Sequence, residues 1–161
     1  MNPHLYAVIT GDIRKSTQLQ PTDLARLPAV LKKIFGDYNL VLNKNDQHLR
    51  YSIFRGDSFQ LLLDPYYALE ASLFIRAGLR IAYPATVARA VDCRLAIAID
   101  TIENLSENIT ESSGEAFTRS GRLLETMKKS VMMAIETPSP AMTGELNTEL
   151  ALCDEIVKNW D

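Results

Sequence analysis

Apolar positions follow two rhythms along this chain, and the switches between them set the expected order of elements. Residues 5–9 form an unbroken apolar run rich in β-formers, the pattern of a strand buried in a sheet. Thr10-Gly11-Asp12 then turns polar. That puts an acid at the carboxyl end of the strand, where open α/β sheets collect ligands, beside a glycine that lets backbone approach closely. After Pro21, Leu24, Leu27, Leu31, Ile34, Phe35, Tyr38 and Leu42 recur at helical spacing, one apolar stripe to lay on a sheet. Thr22 or Asp23 is placed to cap this helix, and Pro28 predicts either a start near it or a kink. Leu49, Tyr51 and Ile53 alternate with Arg50, Ser52 and Phe54, the period of a strand, and residues 59–63 return as its partner after the turn Arg55-Gly56-Asp57. Asp64-Pro65 starts a second helix, which carries Ala68, Leu69, Ser72, Leu73, Ile75, Ala77 and Leu79 until Pro84 stops it.

Residues 93–99 alternate again, with Cys93, Leu95, Ile97 and Ile99 on one face and Arg94, Ala96 and Ala98 on the other. The contrast predicts a sheet with helices on one side and a partly open second side that a ligand or a second subunit would use. Residues 101–113 are polar and loop-like, residues 114–129 predict a third helix anchored by Phe117, Leu123, Leu124 and Met127, and residues 131–135 predict a fifth strand. A segment with Pro138, Pro140 and Gly144 leads to a last amphipathic helix from Glu145, carrying Leu146, Leu150, Leu152, Ile156, Val157 and Trp160. Strand, helix, two-stranded hairpin, helix and strand make the split βαβ, ferredoxin-like plan. The expected fold is therefore α/β (α+β), a βαββαβ core with an added helix, strand and C-terminal helix. Residues 1–137 form the expected domain, and residues 138–161 the C-terminal helix.

Composition narrows the function classes. A chain of 161 residues that is 47% hydrophobic is most simply one domain with a real core. Acids and bases, 20 against 17, are interspersed rather than blocked, which argues against a nucleic-acid or membrane surface. No apolar run approaches the ~20 residues of a membrane span. Cys93 and Cys153 lack metal-ligand spacing and no secretory signal precedes them, so two buried thiols in a cytoplasmic protein are expected. For the same reason the sequon Asn108-Ile109-Thr110 is set aside.

The candidate chemistry rests on two acids, Asp12 after the first strand and Asp57 on the hairpin turn. If they meet, two carboxylates about 4 Å apart repel by roughly 4 kcal/mol at an effective dielectric near 20, so the pair needs a cation or a shared proton. A divalent metal is the usual answer. Two structural alternatives stay open: Arg14 as the partner of Asp12, and Arg55 as the neutraliser of Asp57 across the turn.

Three stretches carry a resemblance to the class III adenylyl and guanylyl cyclase catalytic domain, and more closely to the bacterial SatD family. Asp12-Ile13-Arg14-Lys15-Ser16-Thr17 is similar to the first metal motif of the cyclases, Gly56-Asp57-Ser58-Phe59-Gln60 to the second in its SatD-like form, and the run from Gly114 to Leu123 to the stretch that carries the cyclase asparagine and arginine. The resemblance implies that Asp12 and Asp57, with the Ile13 carbonyl, hold Mg²⁺ or Mn²⁺ for a two-metal displacement on a nucleoside triphosphate. It implies that Arg122 steadies the phosphoryl transition state. Arg14, Ser16 and Thr17 are candidate cofactor-binding residues, although the two hydroxyls equally suit a helix cap. Thr118 stands where the cyclases have the ribose-orienting asparagine, and Ile53 where they have a purine-reading residue that an apolar side chain cannot replace. Cyclase-type sites form between two subunits, so a homodimer follows. In longer SatD-like proteins a stretch like residues 150–160 leads into a helix-turn-helix, and without one this chain is expected to bind no nucleic acid. Three functions follow: a metal-dependent nucleotidyl cyclase or phosphotransfer relative, a catalytically inactive SatD-like sensor controlling a partner or a DNA-binding region, and an interaction domain whose acids are structural.

Overall fold

Five strands and four α-helices appear in a computed structural model that describes residues 4–83 and 91–160. In chain order they are β1 (Tyr6–Ile13), α1 (Pro21–Leu42), β2 (Arg50–Phe54), β3 (Ser58–Leu63), α2 (Ala68–Ala82), β4 (Cys93–Asp100), α3 (Glu115–Thr126), β5 (Met133–Glu136) and α4 (Pro140–Lys158). The sheet order is β2-β3-β1-β4-β5. β1 runs antiparallel to both its neighbours, β3 and β4, which is the expected ferredoxin-like core, and β5 joins it parallel to β4.

β1 continues past the apolar run: Gly11 and Asp12 lie inside it, laddered to β3 on one side and β4 on the other. Gly11 is needed for packing rather than for ligand approach. A Cβ there would lie 2.5 Å from the Phe59 ring and 2.9 Å from Leu95 Cδ2, both fully buried. Odd-numbered residues of β1 face a core built with α1, α2, Phe59, Leu61, Leu95 and Ile97, and α4 adds Leu150 to the same cluster. Leu24, Leu152 and Ile156, expected in apolar stripes, are instead exposed.

The second face is less open than the alternation predicts. α3 packs across β4, β1 and β5, and Ala96, Ala98, Ala116 and Ser120 are almost completely buried beneath it. The small residues that suggested open space instead allow a helix to approach closely: Ala116 and Ser120 are the fully buried contacts of α3, the expected anchor Phe117 packs partly buried on the same cluster, and Leu123, Leu124 and Met127 are half-buried. Ile109 packs on Val8 and Leu62 at the other end of this face. The part over β2 and β3 stays accessible, with Ser52, Ser58 and Gln60 half-buried and Phe54 exposed.

Local chemistry moved several boundaries. α1 starts at Pro21 behind Gln20 and runs through Pro28, because packing of Leu27 and Leu31 holds the turn together. Asp64 accepts from Tyr66 N as expected, first opening a short 3₁₀ turn. Pro84 lies outside the described residues. Ser139 caps α4 with Pro140 at its first position, so the helix begins five residues earlier than Glu145. A buried ionic cluster ties the elements together. Arg76, wholly buried, donates to Asp92 at 2.9 and 2.8 Å and to Asp154 at 2.6 Å. Asp154 in turn accepts from the backbone of Met132 and Met133 at the head of β5. Burial alone would lower the Arg76 pKa, but the bond and charge of Asp92, then the charge of Asp154, raise it overall and keep it protonated. Both cysteines are free thiols, and burial pushes that of Cys93 well above its ordinary range.

Candidate functional site

Asp12, in β1, and Asp57, on the turn between β2 and β3, arrive at one end of the sheet. Asp12 pairs with Ser58 across the β1–β3 ladder, and the N–H of Ile13 donates to the carbonyl of Asp57 at 2.9 Å. The tip between β2 and β3 makes this possible through a left-handed Arg55 (φ 52°) and Gly56 (φ 85°), a turn that glycine accommodates without strain.

The two acids meet different partners. Asp12 is opposed on its other side by Arg94 of β4. Arg94 grips it with both prongs, Nε donating to Oδ1 at 3.2 Å and Nη2 to Oδ2 at 3.1 Å. Among the described residues the Asp57 carboxylate is held by hydroxyls alone: Ser16 Oγ donates to Oδ2 at 2.6 Å and Ser58 Oγ to Oδ1 at 3.4 Å. Among the described residues it has no ion pair. Neither structural alternative from the sequence holds in its original form, since Arg14 points to the Met132 sulfur at 3.8 Å and Arg55 makes no side-chain bond among the described residues.

Ser16 is buried against Asp57, whereas Arg14 and Thr17 are exposed on the same β1–α1 loop. The backbone N–H of Arg14 donates to Asp92 O at 2.9 Å, which links this loop to the buried Arg76 cluster. Beside Asp12 a polar track crosses the second face: Gln60 Nε2 donates to Thr10 Oγ1 at 3.1 Å, and Thr10 shares a 2.8 Å hydroxyl bond with Ser120 of α3.

Thr118 and Arg122 do not join the acids within one chain. Ser120 faces the sheet, and at 3.6 residues per turn Thr118 and Arg122 lie roughly 160° away around α3. Both are exposed, Thr118 bonding back to Gly114 O at 3.4 Å and Arg122 making no side-chain bond among the described residues. Arg119, between them, is instead tied to Asp100, Glu115 and Glu136. Ile53 packs toward the core with Tyr51 and does not face the polar track.

Arg94 is the partner of Asp12 that the sequence pattern does not point to. It stands out on the half-polar face of its strand, but its role depends on the β1–β4 register, which places it opposite Asp12.

Among the described residues no three His, Cys, Asp or Glu side chains gather as a metal cage. Such a cage is not required of a magnesium-type site, which usually takes one or two carboxylates and completes its shell with water and phosphate. Asp57 fits that donor set. Asp12 fits it less well, because a guanidinium already covers both of its oxygens. No helix among the described residues is long and apolar enough to cross a membrane.

No protein-family model and no curated protein matches the chain. Solved structures do. An adenylate/guanylate cyclase/hydrolase from Silicibacter pomeroyi superposes with TM-score 0.59 at 16% identity, over 92% of this chain and 82% of that one. The active GGEEF domain of a diguanylate cyclase from Vibrio cholerae gives 0.59 at 14% identity, over 84% and 85%. A bacterial light-regulated adenylyl cyclase gives 0.56 at 13% identity, over 84% and 77%. At such identities the likeness is one of fold: this chain has a nucleotide-cyclase-like fold.

Proposed function

We propose that this cyclase-like domain binds a nucleoside triphosphate with a divalent cation, Mg²⁺ or Mn²⁺, at the Asp12–Asp57 end of the sheet, and that it works as a homodimer. The observation that carries the reading is the hydrogen bond from Ile13 N–H to Asp57 O, which locks the end of β1 to the hairpin tip and so brings the backbones of both acids to one end of the sheet. Asp57 and the Ile13 carbonyl would hold the ion, with the Asp12–Arg94 pair beside it. When bound, such an ion neutralises phosphate charge and polarises the reacting oxygens. Around it, Arg14, Lys15 and Arg55 are exposed on the loop after β1 and on the β2–β3 turn, and give an incoming polyphosphate a positive approach. The outward-facing Thr118 and Arg122 fit a homodimer, in which α3 of one protomer serves the acids of the other. SatD kinship belongs to the same reading.

A second reading is supported by the same geometry: a ligand-binding sensor without turnover. It rests on the neutralised Asp12, the missing base-reading side chain at Ile53 and the exposed Thr118 in place of an amide. Calorimetry of ATP and GTP with Mn²⁺ on the wild type and on Asp57→Ala tests both. Metal-dependent binding lost in the variant supports a nucleotide site, and analysis of the products then separates enzyme from sensor. Binding that survives Asp57→Ala unchanged removes the site, and no binding to the wild type leaves the acids structural.

A further inference from the structure

We propose that Arg94 is a built-in cation of this site: it takes at Asp12 the place of a divalent ion, so that the domain accepts a single metal ion, on Asp57, and grips a polyphosphate chain directly through its guanidinium. The inference deepens the nucleotide reading above and rests on it for the identity of the anion.

The pair is set by the sheet itself. Asp12 and Arg94 stand directly opposite in the β1–β4 ladder, so their side chains leave the same face from neighbouring strands, close enough for cross-strand pairing. The contact is a two-pronged fork, the strongest geometry an arginine and a carboxylate can adopt. It is also shielded, Arg94 being 18% exposed and Asp12 33%. Neither has another ionic partner among the described residues. A divalent ion bound to the Asp12 oxygens would sit beside a fixed positive charge, and like charges at ion-pair distance repel strongly near a protein surface. Asp57, bonded among the described residues to hydroxyls alone, carries no such obstacle.

The guanidinium has capacity to spare. Asp12 uses one hydrogen on Nε and one on Nη2, and no other bond of Arg94 is made among the described residues, so three of the five N–H donors of an arginine remain. Those donors, with Arg14, Lys15 and Arg55 on the flanking loops, make a surface for an anion that needs little metal.

The experiment uses the full chain as wild type, Arg94→Met, Arg94→Lys and Asp57→Asn, each checked for folding by circular dichroism. Mn²⁺ alone is titrated by calorimetry, with electron paramagnetic resonance to count bound ions, and then again with inorganic tripolyphosphate present. The wild type should take at most one Mn²⁺ per chain, and Asp57→Asn should lose it. Arg94→Met should gain a second ion or bind Mn²⁺ on the order of tenfold more tightly, since a repelling charge is gone. In EDTA, tripolyphosphate should still bind the wild type, retain part of its affinity in Arg94→Lys, and weaken on the order of tenfold in Arg94→Met. Two Mn²⁺ on the wild type, no gain in Arg94→Met, or tripolyphosphate binding that vanishes in EDTA would overturn the proposal. Failure of the nucleotide reading looks different: ATP and GTP fail to bind while the gain of Mn²⁺ in Arg94→Met persists.

Discussion

Arg76→Met probes the cluster that joins the helices to the candidate site. The methionine replaces most of the aliphatic stem, so little cavity opens, and the loss is electrostatic. Asp154, with a side chain 10% exposed, loses a 2.6 Å partner and keeps only two backbone N–H donors. Asp92, 7% exposed, loses both prongs of Arg76 but keeps Arg80 at 3.2 Å and the Cys93 N–H at 2.8 Å. Removing one member of a buried ion pair costs about 3–5 kcal/mol, and here the main uncompensated charge is that of Asp154. At about 2–4 °C per kcal/mol for a chain of this size, Tm should fall by about 6–20 °C. Urea melts followed by circular dichroism give the free energy directly, with an unchanged slope expected if the native core is intact. The double variant Arg76→Met, Asp154→Asn should recover about 1–2 kcal/mol, because the amide carbonyl still accepts from Met132 and Met133 while no charge is left unpaired. A single variant within about 1 kcal/mol of wild type, or a double variant no better than the single, would refute the reasoning.

Two further expectations test the core around the site. Gly11→Ala should cost about 1–3 kcal/mol in a chemical melt, because the new methyl displaces the Phe59 ring, and Phe59→Leu in that background should relieve part of it; an Ala variant as stable as wild type would mean the ring has room to move. Burial, then the charge of Glu70, raises the Tyr38 hydroxyl above its ordinary 10.0. The folded chain therefore holds that proton more tightly, and the resulting stability is complete below about pH 10 and lost as pH rises beyond it, at up to ~1.4 kcal/mol per pH unit. Tyr38→Phe should flatten the fall in stability between about pH 10 and 11, while Tyr83, also raised by burial, sustains a remnant; equal slopes for both proteins would sink the assignment.

The fold was legible because its signals were local. Period-two alternation in β2 and β4, the apolar stripe of α1 and the Asp64-Pro65 start each point to one element, and the order of elements fixes the split βαβ plan. What escaped depends on contacts between elements. The face carrying Ala96 and Ala98 reads as open by hydrophobicity, and only the approach of α3, with its own Ala116 and Ser120, turns small residues into a tight seam. Gly11 reads as a ligand contact until the Phe59 ring is placed against it. Asp12 and Asp57 could be singled out from their settings, but whether each is neutralised, and by what, was hidden. Arg14 and Arg55 are near in sequence, whereas the cation that reaches Asp12 lies 82 residues away on β4.

The two acids are held with unequal rigidity, and the sheet explains why. Asp12 sits in the central strand, laddered on both sides, so its place is set by two registers at once, and a slip of one residue would turn its carboxylate into the core. Asp57 sits on a turn whose preceding two residues have positive φ, and its carboxylate is positioned by Ser16 from a loop rather than by a ladder. Movement at this end of the sheet is therefore cheapest in residues 14–18 and 55–57, where few backbone bonds must break. The fixed acid carries the fixed cation, and the movable acid is the one left without an ionic partner among the described residues. On the proposed reading, an arrangement of that kind would keep Arg94 ready for an anion while leaving Asp57 free to adjust to an ion that arrives with it.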